Sequence, residues 1–363
     1  MNKEISPAQN IIENVCKIKK DEKVLIIANP STASIAQRLY EAANDAGART
    51  SLIYQNAKTS FDNAENTVLA AIASNPDVCF SISEIKLGKD PVGTATPYIT
   101  KSGETFTHIF DFLLEGKKSM RGVWTPGLTE DMFNRTVNID YELLGKNCRR
   151  LCELFKNVVS VQVTAPGGTN ITVPVFERDL LCDDGDFSKP GSGGNIPAGE
   201  VFISPLVGKS EGIIVYDGSM TFSDGDSILS TPITCRVEHG FVSDITGGAE
   251  AKRLLKTITE AEERSLAYEA SGKLPLGQGQ VYRRNARNIG ELGIGLNPAA
   301  QITGNMLEDE KAFTTCHFAI GENYDNDAPS LIHLDGIVRK PTITLTYDDG
   351  STKTILSDGN LTI

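Results

Sequence analysis

The sequence predicts an α/β protein built in two parts: an amino-terminal α/β domain with a mainly parallel sheet over residues 1–156, then a β-rich (α+β) catalytic domain over residues 157–363. Three observations lead there. Apolar strands alternate with amphipathic helices from Ser6 to Ser83. A long helical stretch runs from about Asp140 to Phe155. Beyond it the texture changes to short strands broken by Gly, Pro and Asp turns.

Taken in order, a helix is expected over Ser6 to Lys17, a strand KVLIIA from Lys23, and an amphipathic helix ending near Ala46 and Gly47. A strand at Thr50 to Tyr54, a helix across Ala64 to Ser74 and a strand at Val78 to Ser83 complete βαβ units. The loop Asn29-Pro30-Ser31-Thr32 offers Ser31 or Thr32 as a helix cap but has none of the glycines of a dinucleotide or P-loop site. His108 falls in a helical stretch beside Phe106, Phe110 and Phe112. In the second part, Val159 to Thr164 with Thr169 to Pro174, and Thr234 to Val237 with Phe241 to Ile245, read as hairpins, the latter turning at His239-Gly240. One helix, Ala249 to about Ala270, interrupts the strands with a charged, solvated face.

Composition narrows the function. In 363 residues, 35 Lys and Arg against 47 Asp and Glu give a net charge of −12, which repels nucleic acid and anionic membrane surfaces. No apolar run approaches the roughly 20 residues of a membrane helix, and MNKEISPAQN has no signal-like apolar stretch, so a cytoplasmic location is expected. Seven cysteines without a CxxC pair encode neither a disulfide framework nor a thiolate zinc site. Asp183-Asp184-Gly185-Asp186 lacks the ligand spacing of a calcium loop and reads as a turn.

The chemistry concentrates near the carboxyl end. Two of the four histidines, His317 and His333, lie close to Glu291 and Asp335. With a period of two, Thr314 to Ile320 sends His317 to the face opposite Cys316, Phe318 and Ile320. His333 and Asp335 share a face of Leu331 to Val338, which is chelate spacing on a strand. Asn288 to Leu296 places Glu291 beside Gly293 and Gly295, and Gly199 to Pro205 places Glu200 opposite Val201 and Ile203. Two imidazoles and three carboxylates on polar faces are costly to bury without a cation. Three carboxylates and one bridging hydroxide balance two divalent ions, and oxygen and nitrogen donors suit Zn, Co or Mn. Tyr324 could donate its phenol to an oxyanion, and within the acidic run Glu308-Asp309-Glu310, expected to be a solvated loop, Glu310 is the candidate general base or amine anchor. A triad of His317, His333 and Asp335 alone would suit one Fe(II).

Asn195-Ile-Pro-Ala-Gly-Glu-Val-Phe-Ile-Ser-Pro205, Gly290-Glu-Leu-Gly-Ile-Gly295, Asp309-Glu-Lys311, His317-Phe-Ala-Ile-Gly321 and His333-Leu-Asp335 resemble motifs of the M29 aminopeptidases, the aminopeptidase T and S group, in order and approximate spacing. Over the first domain Ile18-Lys-Lys-Asp-Glu-Lys-Val-Leu-Ile26 resembles that family's opening strand. The resemblance implies that Glu200, Glu291, His317, His333 and Asp335 bind two divalent ions, that Tyr324 is an active-site tyrosine, and that a homodimer removes amino-terminal residues from small peptides. The sixteen positions from His317 to His333 are tighter than in the peptidases. A related branch with this fold holds one Fe(II) and opens dihydroxypyridine rings with oxygen, and the chain length is nearer to that branch. Retention of Glu200 and Glu291 favours the two-metal hydrolase, with the mononuclear iron dioxygenase or an inactive small-molecule-binding protein as alternatives.

Overall fold

A computed structural model describes residues 5–59 and 61–363. It divides into two compact units: residues up to Gly145 together with Asp183–Ala198, and Lys146–Cys182 together with Gly199–Ile363.

In the first unit a five-stranded sheet runs in the order Gly193–Asn195, Arg121–Trp124, Val78–Ile82, Lys23–Ala28, Arg49–Tyr54, and every pairing is parallel. The central strand Val78–Ile82 is buried throughout, while the edge strand Arg49–Tyr54 alternates between exposed and half-buried positions. That contrast is what a parallel sheet covered on both faces produces. Helix Ala33–Asp45 buries Ile35, Ala36, Leu39, Ala42 and Ala43, an i, i+3, i+4 stripe. The first helix is Pro7–Asn10, capped by Ser6 and continued as a π-helix over Ile11–Val15.

Two details differ from the sequence reading. Thr32 does not cap helix Ala33–Asp45; its hydroxyl instead donates to the carbonyls of Asn29 (3.1 Å) and Ile82 (2.8 Å), tying two strand ends together. The boundary is also not a single cut, because Asp183–Ala198, read as part of the second domain, belongs to the first unit. Its Gly193–Asn195 supplies the fifth parallel strand, and a side chain on Gly193 would lie 2.3 Å from the Gly122 carbonyl oxygen. Pairing in this register thus requires glycine at position 193.

The second unit contains a seven-stranded and an eight-stranded sheet. The seven-stranded sheet runs Gly225–Ile228, Ser219–Phe222, His333–Arg339, Thr315–Gly321, Ile289–Gly295, Glu200–Ile203, Leu181–Asp183. Its central pairings are antiparallel. The eight-stranded sheet contains both expected hairpins, Val158–Thr164 with Asn170–Pro174 and Ile233–Glu238 with Phe241–Thr246. At the second turn His239 (φ 51°) and Gly240 (φ 77°) are both left-handed, the requirement of a two-residue hairpin turn. Tyr216 of the eight-stranded sheet is fully buried, and a side chain on Gly336 would meet its ring at 2.3 Å. Helix Ala249–Ala270 buries Leu254, Ile258, Ala261 and Ser265 along one stripe. Among the described residues no helix is long and apolar enough to cross a membrane.

Candidate metal centre

The site is assembled by antiparallel register. Residues opposite one another share a face, so three adjacent strands carry the row Glu291, Ala319, Asp335 and next to it the row Gly293, His317, Ile337. Ala319 keeps the space between the two carboxylates shallow. Gly293 has a stricter role: a Cβ there would lie 2.0 Å from His317 Nε2, so the imidazole lies over the glycine. On the fourth strand Glu200 pairs with Gly295. The opposite face carries Leu292, Ile294, Cys316, Phe318, Ile320, Leu334 and Val338, all buried, each large apolar side chain contributing about 1.5–3 kcal/mol. The hydrophobic alternation therefore fixes which residues point toward the site.

The five residues singled out in the sequence converge. His317 Nε2 lies 2.9 Å from Glu291 Oε1 and 3.4 Å from Glu200 Oε2. His333 Nε2 lies 3.4 Å from Glu291 Oε2 and 3.3 Å from Asp335 Oδ1. Two ligand groups result, Glu200/Glu291/His317 and Glu291/His333/Asp335, with donor atoms in each within 4.8 Å of one another and Glu291 common to both. His333 Nδ1 donates to the Glu322 carbonyl (2.9 Å), which turns Nε2 toward the carboxylates.

The electrostatics reflect crowding. Burial acts against charge on Glu291, but hydrogen bonds from His317 and His333 outweigh it and hold the carboxyl at about 2. Burial also opposes the charge on His317, yet Glu291, Glu200 and Asp335 raise the imidazole to about 9. Glu200 behaves differently: burial pushes it up to about 8 despite Lys311. Among the described residues Glu200 Oε2, Asp335 Oδ1 and His317 Nδ1 are buried without a hydrogen-bond partner. Unsatisfied acceptors beside imidazoles are what a cation-binding pocket requires.

Lys311 is the residue sequence reasoning missed. It is fully buried, with Nζ 3.0 Å from Glu200 Oε1 and in contact with Glu310. A lysine is almost never buried unless paired, and its position within Asp309-Glu-Lys311 was the available signal. The acidic run is correspondingly not a solvated loop. Glu308 and Asp309 are fully buried; Asp309 accepts from the backbone N–H groups of Thr303 (2.7 Å) and Gly304 (2.9 Å) and from the Ser219 hydroxyl (2.6 Å). Only Glu310 faces the site, its carboxyl raised by burial, partly offset by Lys311, and raised further by Asp335.

Tyr324 stacks at a tilt on Phe202 (4.9 Å between centroids) and edge-on to His333 (5.6 Å). Burial, then Glu291 and Asp335, raise its phenol above the ordinary value, so it stays an O–H donor. Its loop is clamped by Arg178, which pairs with Asp325 (3.1 Å) and Asp327 (2.6 Å), and by Asn323, which donates to Asp327 (2.6 Å). The other two histidines lie elsewhere. His239 meets Glu211 at the surface (3.1 Å), and His108 caps the short helix Ile109–Asp111 by accepting from the Phe110 N–H (3.0 Å).

Residues 136–362, more than half of the chain and inclusive of every residue of this centre, match the family described as NicX, 2,5-dihydroxypyridine 5,6-dioxygenase. The chain belongs to this family. A relative from Pseudomonas putida KT2440, 2,5-dihydroxypyridine 5,6-dioxygenase, is 26% identical over 140 residues, a stretch covering 38% of this chain and 40% of that protein. The alignment thus spans about two fifths of the relative's length. The solved 2,5-dihydroxypyridine dioxygenase from the same organism shares the fold (TM-score 0.68, 18% identity, 98% of this chain and 96% of that one). So does wild-type AmpT, an aminopeptidase T, from Thermus thermophilus (TM-score 0.65, 17% identity, 98% of each chain).

The fold implied by the aminopeptidase resemblance therefore stands, and the activity does not. The family match and the curated relative overturn the two-metal aminopeptidase, together with the hydrolase and metalloprotease reading that depended on it. The physical counterpart is Lys311. The charge argument for two ions counted Glu200 as a free carboxylate, but Glu200 already faces an ammonium 3.0 Å away.

Proposed function

We propose that this protein is a mononuclear Fe(II) dioxygenase that opens a dihydroxylated pyridine ring of the 2,5-dihydroxypyridine class. The observation that carries the reading is the approach of both imidazole Nε2 atoms to the one carboxylate of Glu291, at 2.9 and 3.4 Å, within the segment that matches the dioxygenase family. Two histidines and a carboxylate form the donor set of non-haem iron oxygenases. Asp335 Oδ1, which lies 3.3 Å from His333 Nε2, adds a further buried oxygen donor. His317, His333, Glu291 and Asp335 would hold the ion; Glu200, tied to Lys311, would not. Ferrous iron bound there supplies the one-electron chemistry that lets ground-state O2 react with a closed-shell ring.

The chain's own residues do the rest. Phe202 and Tyr324 form an aromatic wall for a flat ring, and the Tyr324 phenol donates a hydrogen bond to a substrate oxygen. The Glu200, Lys311, Glu310 cluster accepts the hydroxyl proton that a dihydroxypyridine releases as its ring becomes electron-rich. In the reaction the ring bond between C5 and C6 breaks, both atoms of O2 end on those carbons, and no further reductant is consumed.

The test is reconstitution with Fe(II) under anaerobic conditions, followed by metal analysis and oxygen uptake on adding 2,5-dihydroxypyridine. One iron per chain and one O2 consumed per substrate are expected. Two tightly held metals per chain with no oxygen uptake would overturn the reading.

A further inference from the structure

Tyr324 has little packing to hold it. Its phenol end is shielded by the site, yet the residue as a whole is 54% exposed. Tyr324 to Asp327 form an exposed loop tip between the buried Asn323 and Ala328. Within the loop, Asn323 donates to Asp327 (2.6 Å) and accepts from the Ala328 N–H (3.1 Å). Asn326, at a left-handed φ of 61°, donates to the Tyr324 carbonyl (3.2 Å). These bonds set the shape of the tip, but none of them ties it to the strands that carry the metal ligands. The ring contacts with Phe202 and His333 do not replace such a tie, because an exposed side chain is free to change rotamer.

Among the described residues, the ionic tie from outside the loop is Arg178. Its Nη1 lies 3.1 Å from Asp325 Oδ1 and its Nη2 2.6 Å from Asp327 Oδ2, on residues one and three positions after Tyr324. Both carboxylates belong to exposed residues, whereas the Arg178 side chain is only 11% exposed. Its remaining donor, Nε, is buried with no hydrogen-bond partner among the described residues. An arginine that gives up hydration and leaves one donor unused is kept in place by both arms of its fork, which distinguishes it from a solvated surface ion pair. Its own backbone is fixed. The Arg178 N–H donates to the carbonyl of the buried Val175 (3.0 Å), and the Val175 N–H to that of Val159 (3.0 Å) in strand Val158–Thr164. Arg178 therefore braces the Tyr324 loop from a segment anchored on the eight-stranded sheet.

We propose that Arg178 is a positioning residue for the reaction: by holding Asp325 and Asp327 it fixes the Tyr324 phenol beside His333, and it acts through that phenol without itself holding the ion. The role given to the phenol rests on the dioxygenase reading; the place of the ring does not. A phenol free to swing spends only part of its time in donor geometry, and a misplacement of about 1 Å can cost up to about 100-fold in rate. Losing Arg178 nevertheless costs no more than losing the phenol itself, since the phenol is all that it positions. Lysine is a poor substitute, because one ammonium cannot span two carboxylates as a planar fork does.

The full-length protein is labelled with 3-fluorotyrosine, and the Tyr324 fluorine resonance is identified by its loss in Tyr324→Phe. Before iron is added, Arg178→Gln should move that resonance to the position of an exposed tyrosine, and Arg178→Lys should move it part-way. After reconstitution with Fe(II), Arg178→Gln should keep its iron and lose about tenfold in turnover, as Tyr324→Phe does. Combined with Tyr324→Phe, it should change turnover by less than about twofold, because the group it positions is already gone. An unmoved resonance, lost iron, or a full further loss of turnover in the Tyr324→Phe background would each overturn the proposal. Wild-type protein that consumes no oxygen with 2,5-dihydroxypyridine would defeat the dioxygenase reading instead, and the fluorine resonance then decides by itself whether Arg178 places the ring. Should Arg178→Gln misfold, D325N/D327N, which breaks the same pairs from the exposed side, takes its place with the same expected results.

Discussion

Asp90 in the first unit and Glu291 in the second are both buried acids, 2% and 4% exposed, yet their surroundings are opposite. Asp90 accepts hydrogen bonds from three backbone N–H groups and a tyrosine hydroxyl. All of these are neutral donors supplied by a helix start and the segments beside it. Glu291 faces two imidazoles, in a pocket where Glu200 Oε2 and Asp335 Oδ1 accept no hydrogen bond among the described residues. A carboxylate saturated by the main chain is a structural device. One that meets other titratable groups, with acceptors left over, is prepared for a ligand that is not part of the chain. Burial alone does not tell the two apart; the identity of the partners does.

The sharpest way to break this comparison is Glu291→Ala. Because Glu291 is shared by both ligand groups, iron content and oxygen uptake are expected to fall by more than about 100-fold, exceeding the 10–100-fold typical of residues that only support ligands. The protein should remain folded by circular dichroism. Full iron occupancy would show that Glu291 is not a ligand.

Next in size is Gly293→Ala, whose added methyl would lie 2.0 Å from His317 Nε2. Displacing the imidazole should weaken iron binding on the order of tenfold to 100-fold, measured by chelator competition. Unchanged affinity would mean that His317 does not need this position.

Asp90→Asn tests the structural side. Burial opposes ionisation of Asp90, but hydrogen bonds from Gly93, Tyr98 and Ile109 hold its carboxyl below the usual value. A lowered folded-state value means that its stabilisation is fully present above the unfolded aspartate value near about 3.9 and is lost as pH falls through the folded one. Asparagine should therefore cost about 1–2 kcal/mol near neutrality and flatten the acid limb of the stability curve, with iron binding intact. A change in iron affinity would erase the distinction between the two acids.

The smallest effect is expected for Tyr324→Phe. Its ring contacts with Phe202 and His333 persist, so iron content should be unchanged while turnover drops roughly tenfold, as for loss of one donor at a reacting oxygen. An unaltered rate would remove the phenol from the chemistry.

Much of this was legible beforehand. The convergence of Glu200, Glu291, His317, His333 and Asp335 follows from a period-two pattern that any extended strand imposes, whereas Tyr324 lies in a turn and was marked by its place after Gly321-Glu-Asn and by the family resemblance; the strand boundaries needed shifts of only a residue or two, as at Thr314, where φ of 71° delays the strand to Thr315–Gly321. The parallel sheet of the first unit likewise followed from strands separated by helices. These are local properties, set by backbone geometry and the solvent preference of neighbouring side chains.

What the sequence by itself determined was therefore which residues could face a metal; what only the tertiary structure decided was which of them remain free to do so. Lys311 neutralises Glu200 from 111 positions away, and Arg178 clamps the Tyr324 loop across 149. Asp183–Ala198 leaves the second unit to complete the first unit's sheet. Each outcome depends on closing a long loop onto one particular partner, a choice made by global packing and charge compensation. No local periodicity encodes it, and so the pairing of Lys311 with Glu200 and Glu310 beside the site is decided only in the fold.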